Sequence, residues 1–189
     1  MAAETIGRLW YVIGPSGAGK DSLLAYARER LSGQARLVFA HRYITRPADA
    51  GGENHIALSE QEFQCRERHG CFALCWRRHA LCYALGGEVE TWLAQGLDVV
   101  VNGSRSTLAA AAAHFPTLTP LWVLASPAIL SARLRARGRE TPAAIERRLR
   151  EAAGFVPPCG SLVVQNDGSL VEGGEALVAL LQRPPPSGG

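Results

Sequence analysis

The segment that most limits how this chain can fold lies near its start. The apolar run Leu9-Trp10-Tyr11-Val12-Ile13 passes directly into Gly14-Pro15-Ser16-Gly17-Ala18-Gly19-Lys20-Asp21-Ser22. Five consecutive apolar residues have no polar face, so they suit a strand buried on both sides, which is the environment of a parallel sheet. The glycine-rich turn then lets successive backbone N–H groups point inward around a polyphosphate. Lys20 adds a positive charge, and a helix opening behind it adds the positive end of its dipole. Strand, loop and helix together are the G-x-x-x-x-G-K pattern of a P-loop. Residues Gly14, Pro15, Ser16, Gly17, Ala18, Gly19, Lys20, Asp21 and Ser22 are therefore the expected binding segment for a nucleoside triphosphate. The position after Lys20 normally offers a hydroxyl to Mg²⁺. Here it is Asp21, so Asp21 and Ser22 are both candidate metal ligands.

Strand and helix signals alternate along the rest of the chain. Leu23, Leu24, Ala27 and Leu31 share one face of a helix expected over 20–31, and Leu37–Ala40 reads as a short strand. Ser59 followed by Glu62 looks like a capping box that opens a helix running to about His69. Short strands are expected at 71–76 and 81–85, a helix over 88–95, and Gly96 stops it. Leu97-Asp98-Val99-Val100-Val101 is the best candidate for a central parallel strand, and Leu121–Ala125 and Ser161–Gln165 are further strands. Helices are expected over 106–114, 127–137, 142–153 and 175–181. The tail 183–189, rich in proline and glycine, cannot pack and reads as disordered. These signals describe one α/β domain over 1–182, a parallel sheet covered on both faces. The stretch of about 44–85 breaks the rhythm and reads as an inserted acceptor-binding part.

Bulk composition excludes several roles. A net charge of +3 over 189 residues argues against a broad nucleic-acid surface, although arginines crowd at 133–139 and 147–150. Five cysteines, with no paired C-x-x-C, fit reduced thiols better than zinc or a disulfide framework. No run approaches membrane-spanning length and the first residues resemble no secretory leader, so the expectation is a cytoplasmic enzyme that binds neither membrane nor nucleic acid. Oligomeric state has no sequence signal.

Several segments in the right order resemble the guanylate-kinase-like nucleoside monophosphate kinases, over nearly the whole chain before the tail. The loop 14–20 is one. Ile44-Thr45-Arg46-Pro47 is similar to the family's T-T-R-P, whose Arg holds the acceptor phosphate, and Ile56-Ala57-Leu58-Ser59 with Glu62-Phe63 resembles the strand and helix beyond it. Tyr83 sits near a phosphate-binding Tyr, Arg133 and Arg137-Gly138-Arg139 resemble the lid, Arg148-Leu149 its following Arg-Leu, and Asn166-Asp167 a late N-D near the adenine. The resemblance implies a three-layer P-loop kinase fold with a lid at about 133–150. It makes Lys20, Arg133, Arg137 and Arg148 catalytic, Asn166 a nucleotide contact, and Arg46, Tyr83 and His55 acceptor contacts.

The departures narrow the acceptor. Where that family reads guanine with a Glu, an Asp and a Ser, this chain has Cys75, Ser104 and Arg42. A thiol and a hydroxyl are poor acceptors for guanine N–H groups, and a site built on hydrogen bonds loses steeply when they are missing. Arg42 adds a planar cation suited to a second phosphate. Arg42, Arg46, His55, Tyr83 and Ser104 therefore describe a pocket for an acceptor with a second phosphate and no base, and a further resemblance implies that this acceptor is a sugar bisphosphate. The segments 40–46, 53–63 and 101–105 are similar to those of a branch of this family that acts on such a sugar in bacterial phosphonate degradation. Two alternatives stay open at this point: a guanylate kinase proper, and a non-catalytic interaction module of the same fold.

Overall fold

The computed structural model describes residues 6–50, 53–78, 80–136, 138 and 141–183. The expected tail beyond Arg183, together with Arg137 and Arg139 of the expected lid, lies outside the described residues. Among the described residues no helix is long and apolar enough to cross a membrane.

Two sheets carry the fold. The larger has five strands in the order β2 (Leu37–Phe39), β7 (Asp98–Asn102), β1 (Leu9–Ile13), β8 (Leu118–Leu124) and β9 (Leu162–Gln165). β2 pairs with β7 in parallel, Val38 opposite Val99, and β8 pairs with β9 in parallel, Val123 opposite Val164. Every residue of β1 is fully buried, as its unbroken apolar run requires. The second sheet has the order β4 (Ile56–Ala57), β3 (Arg42–Ile44), β6 (Leu81–Gly86), β5 (Phe72–Arg78). Its β5–β6 and β3–β6 pairs are antiparallel.

Chain contacts divide the molecule into two compact units, Met1–Tyr11 with Gly33–Thr119, and Val12–Ser32 with Pro120–Gly189. The first holds the second sheet, with α2 (Glu60–Arg68), α3 (Glu88–Ala94) and α4 (Leu108–His114). There Leu58, Phe63, Cys82 and Ala84 form a small core, closed by Tyr43, Phe72 and Cys75, with the Phe63 and Phe72 ring centres 4.8 Å apart. The other unit holds α1 (Lys20–Arg30), α5 (Pro127–Ala136), α6 (Pro142–Ala153) and α7 (Leu170–Leu181), with α1 packed on α7 and α5 on α6.

The stretch 41–47, to which the sequence assigns no element, contains strand β3, because its backbone finds partners on both β4 and β6. Two local expectations are corrected. Ser59 does cap α2 by accepting from the Glu62 N–H, but Glu62 turns instead to Arg66, one turn along the helix. The reciprocal capping box forms at Ser169 and Glu172, so α7 begins at Leu170, five residues earlier than its apolar pattern suggests. Gly173 and Gly174 conceal this start, since glycine ordinarily disfavours a helix interior. Here the missing side chains permit close packing: a Cβ on Gly174 would run into the Tyr26 ring of α1, and one on Gly173 would lie 2.6 Å from Asn166 Oδ1.

Candidate active site: a phosphate loop and an acceptor half

The phosphate loop is shaped by two glycines and held from behind. Gly17 and Gly19 take φ of 93° and 86°, in the left-handed region that residues with a Cβ rarely adopt. Gly19 caps α1 without any side-chain hydrogen bond, so the first turn of the helix turns its N–H groups to the loop. The loop's inner carbonyl, on the fully buried Ala18, accepts from Asn166 Nδ2 at 2.7 Å and from Arg133 Nη1 at 3.4 Å. Asn166 follows β9 and its own N–H bonds to Leu124 O at 2.8 Å, so its amide comes from the sheet itself. Its Oδ1 is buried with no hydrogen-bond partner among the described residues. Arg148, on α6, hydrogen-bonds the Ser16 hydroxyl at the tip of the loop. Lys20 is largely buried and its ammonium lies 3.4 Å from Asp21 Oδ1, whose side chain is 43% exposed.

Beside the loop, Asp167 accepts from the Ser126 N–H at 2.6 Å and from Gln165 at 2.8 Å. The Ser126 hydrogen bond is the main reason its carboxyl sits below the usual carboxylate range. Residues 14–22, Arg133, Arg148 and Asn166 thus lie in one unit.

The residues expected to contact the acceptor lie in the other unit, on β3, β5 and β6 and the turn after β3. Thr45 is locked to β6 through Cys82, its N–H reaching Cys82 O at 3.1 Å and its hydroxyl taking the Cys82 N–H at 2.8 Å. That fixes the backbone on which Arg46 stands. The His55 ring clasps the ends of the following loop, with Nδ1 3.0 Å from Glu53 O and Nε2 3.1 Å from Arg46 O. Arg46 Nη2 lies 3.3 Å from the same ring, and Arg46 Nε is buried without a hydrogen-bond partner among the described residues.

Arg42 is held more firmly than its sequence position implies. Its Nε donates to Glu53 Oε1 at 2.6 Å and its Nη2 to Glu53 Oε2, a bidentate pair with side chains only 11% and 9% exposed. The guanidinium lies over Tyr83 and Trp76, 5.1 and 5.7 Å from the ring centres, and those rings stack 5.5 Å apart at 7°. A cation held over aromatic rings while its fork grips a carboxylate suits Arg and not Lys. Its charge reaches Tyr11, whose phenol is pushed up by burial and lowered again in part by Arg42.

Tyr11 in turn fixes the turn that carries Ser104. The Ser104 N–H donates to Tyr11 Oη at 3.1 Å, Tyr11 meets Thr107 Oγ1 at 2.8 Å, and Ser104 Oγ lies 2.9 Å from Ser106 Oγ. Cys75, by contrast, spends its thiol on Glu67 Oε1 at 3.1 Å, and Arg77 holds that carboxylate on both oxygens. Burial, then the Glu67 hydrogen bond, push the thiol up to about 11, so Cys75 is neutral at ordinary pH.

Glu53, Tyr11 and Glu67 are absent from the sequence-derived set. Glu53 stands 11 residues from Arg42 with no helical or strand spacing between them, so no periodic signal links the two.

Comparison with known structures defines the class. The fold matches a guanylate kinase from Anaplasma phagocytophilum with a TM-score of 0.66 at 15% identity, over 94% of this chain and 86% of that one. A sugar kinase from Janibacter sp. HTCC2649 matches with a TM-score of 0.52 at 17% identity, over 93% and 94% of the two chains. This is the guanylate-kinase-like α/β fold of P-loop kinases. No family model matches the chain. It is 64% identical to the ribose 1,5-bisphosphate phosphokinase PhnN of Chromobacterium violaceum over 95% of this chain and 96% of that protein. The protein of the same name from Thiobacillus denitrificans is 54% identical over 93% of each. A third, from Laribacter hongkongensis, is 65% identical over 96% of this chain, which spans 44% of that longer protein. The chain belongs to the ribose 1,5-bisphosphate phosphokinase PhnN family.

Proposed function

We propose that this chain transfers the γ-phosphoryl group of ATP to the 1-phosphate of ribose 1,5-bisphosphate, giving ADP and 5-phosphoribosyl 1-pyrophosphate. The setting is the cytoplasm and the breakdown of phosphonates. Beyond family membership, the observation that carries this reading is the acceptor half itself. At the positions where a guanylate kinase would read its base, one side chain is a neutral thiol tied to Glu67, another a serine tied to Ser106, and the third an arginine. None of these three residues is the carboxylate that would accept from guanine N–H groups, while Arg42 brings cationic N–H donors suited to phosphate.

The chemistry asks for little beyond positioning. The nucleophile is an oxygen of the acceptor's 1-phosphate, already ionised near neutral pH, so no general base is needed. A new P–O bond forms to that oxygen as the bond to the ADP β-phosphate oxygen breaks. The protein's task is to hold two polyanions in line and offset their charge. The N–H groups of the 14–19 loop and the start of α1 would cradle the donor phosphates. Lys20, Arg133, Arg137 and Arg148 would stabilise charge on the transferring group. Asn166, by fixing the Ala18 carbonyl, keeps the cradle's shape, and its place beside the loop suits a contact to the nucleotide. Arg42, Arg46 and Tyr83 would hold the acceptor, with His55 and Ser104 shaping its walls.

The residues also fit a bound Mg²⁺. This ion is usually held by one or two protein oxygens together with substrate phosphates, and Asp21 and Ser22 offer a carboxylate and a hydroxyl beside the loop. When bound it supplies charge neutralisation on the phosphates.

A coupled ADP-release assay with ribose 1,5-bisphosphate and GMP as competing acceptors, with the sugar product identified by mass, tests the reading. Turnover of the bisphosphate to 5-phosphoribosyl 1-pyrophosphate, at a kcat/KM well above that for GMP, is expected. Faster turnover of GMP would make the chain a guanylate kinase, and no turnover of either would leave the non-catalytic alternative.

A further inference from the structure

The Arg42–Glu53 pair holds more hydrogen-bonding capacity than it uses. An ionised carboxylate accepts at about four lone-pair sites and a guanidinium donates through five N–H groups. Glu53 gives one site on each oxygen to Arg42, and Arg42 gives its Nε–H and one Nη2–H in return. Neither side chain makes another hydrogen bond among the described residues, although Glu53 is 9% and Arg42 11% exposed. Neither residue has a fully buried polar atom without a partner, so the spare sites sit in a largely enclosed place that a ligand can still reach.

The unfilled sites are of both kinds on one rigid, planar unit. Acceptors remain on Glu53 and donors remain on Arg42. A phosphate alone would use only the donors, and the carboxylate would repel it. The ligand that fits carries hydroxyl donors and an anion on neighbouring atoms, which describes a phosphorylated sugar. The pair is also pinned against rotation. Arg42 lies on the Tyr83 face, and the Glu53 backbone carbonyl is fastened by His55. Arg46, with no carboxylate in ion-pair distance among the described residues and a buried Nε lacking a partner, is left to meet the phosphate as an uncompensated cation.

We propose that Glu53 is the residue that reads the acceptor's sugar: its carboxylate accepts hydrogen bonds from the ring hydroxyls, while the remaining N–H groups of Arg42 take a neighbouring phosphate oxygen. This assignment rests on the functional reading above. Its consequence is selectivity for ribose over deoxyribose, because a deoxy acceptor leaves a spare lone-pair site of the Glu53 carboxylate without its hydroxyl once water has been displaced.

The test measures kcat/KM for ribose 1,5-bisphosphate against its 2-deoxy and 3-deoxy analogues. The wild-type protein should favour the ribose compound by about tenfold or more over at least one analogue, the range for a hydrogen bond to a charged group. In Glu53→Leu that preference should fall to within about threefold of unity, as turnover of the ribose compound drops toward that of the analogues. A merely structural ion pair would instead lower all three acceptors together and leave the ratios intact. Since Glu53→Leu strands a buried cation, Arg42→Met/Glu53→Leu provides a variant without unpaired charge, and apolar replacement of a buried pair is often tolerated. The same loss of preference is expected there. A wild-type protein that does not distinguish the three sugars, or a folded variant that keeps the wild-type ratios, overturns the assignment while leaving the kinase reading standing. A wild-type protein that turns over none of them overturns the functional reading and this assignment with it.

Discussion

Replacing Gly173 by alanine should damage the phosphate loop although the substitution lies in the last helix. By helix propensity alone Gly173→Ala should stabilise α7 by about 1 kcal/mol. Packing opposes that gain. The new methyl would lie 2.6 Å from Asn166 Oδ1 and 3.1 Å from Leu23 Cδ2, well inside ordinary contact distance. Asn166 can retreat only by drawing its Nδ2 away from the Ala18 carbonyl, now at 2.7 Å. Losing a buried hydrogen bond while leaving its partner desolvated costs about 1–3 kcal/mol, and crowding a packed interior costs about 1–3 kcal/mol more. A net loss of about 3 kcal/mol follows, or a fall in Tm of about 6–12 °C for a chain of this length. The KM for ATP should rise several-fold with kcat less affected, because the cradle is displaced and Lys20 is not removed. Calorimetry and initial rates at saturating acceptor read the two effects. An Asn166→Ala background isolates the cause: with the amide gone, Gly173→Ala should recover its propensity gain and raise Tm. A single variant that melts higher than wild type and keeps its KM for ATP would refute the reasoning.

Three other outcomes are expected. Lys20→Ala should fold normally and lose about 10²-fold or more in kcat, as is usual for removing one electrostatic contact to a transition state; near-normal turnover would remove Lys20 from the chemistry. Asp21→Ala should raise the Mg²⁺ concentration needed for half-maximal rate, with metal-free ATP binding unchanged or improved; an unchanged requirement with a lower Tm would make Asp21 a helix-start residue only. Cys75, with its thiol pushed up to about 11, should be alkylated by iodoacetamide at pH 8 far more slowly than the exposed Cys65 and Cys71, and should approach their rate only as the pH nears that value; peptide mass mapping across pH 7–11 reads this directly.

Much of the donor half was legible from the chain. Strand β1, the glycine turn and α1 are contiguous, so their chemistry is written in local order, and Gly17 and Gly19 adopt the positive φ that such a turn demands. The acceptor half was legible only as a set of residue types. Arg42 could be recognised as an added cation, but its bidentate hold on Glu53 and its seat on Tyr83 are tertiary facts with no spacing signal. β3 and β4, of three and two residues, are too short for any period to appear and exist because β6 offers β3 a partner. The start of α7 was hidden because Gly173 and Gly174 serve packing against α1 and Asn166, at the expense of local propensity.

The carbonyl of Ala18 has a bearing on how the chain acquires its function as it is made. The amide that holds this carbonyl stands 148 residues further along the chain, and the guanidinium that shares it 115 residues further. During synthesis, therefore, the whole glycine motif leaves the ribosome long before anything exists to brace it. A nascent chain halted before β9 would carry every residue of the motif, Gly14 through Lys20, and Arg133 as well, without the Asn166 amide that makes the shorter of the two hydrogen bonds to the loop's inner carbonyl. The braced shape of this loop is a late-arriving property of the polypeptide, completed when Asn166 docks behind it.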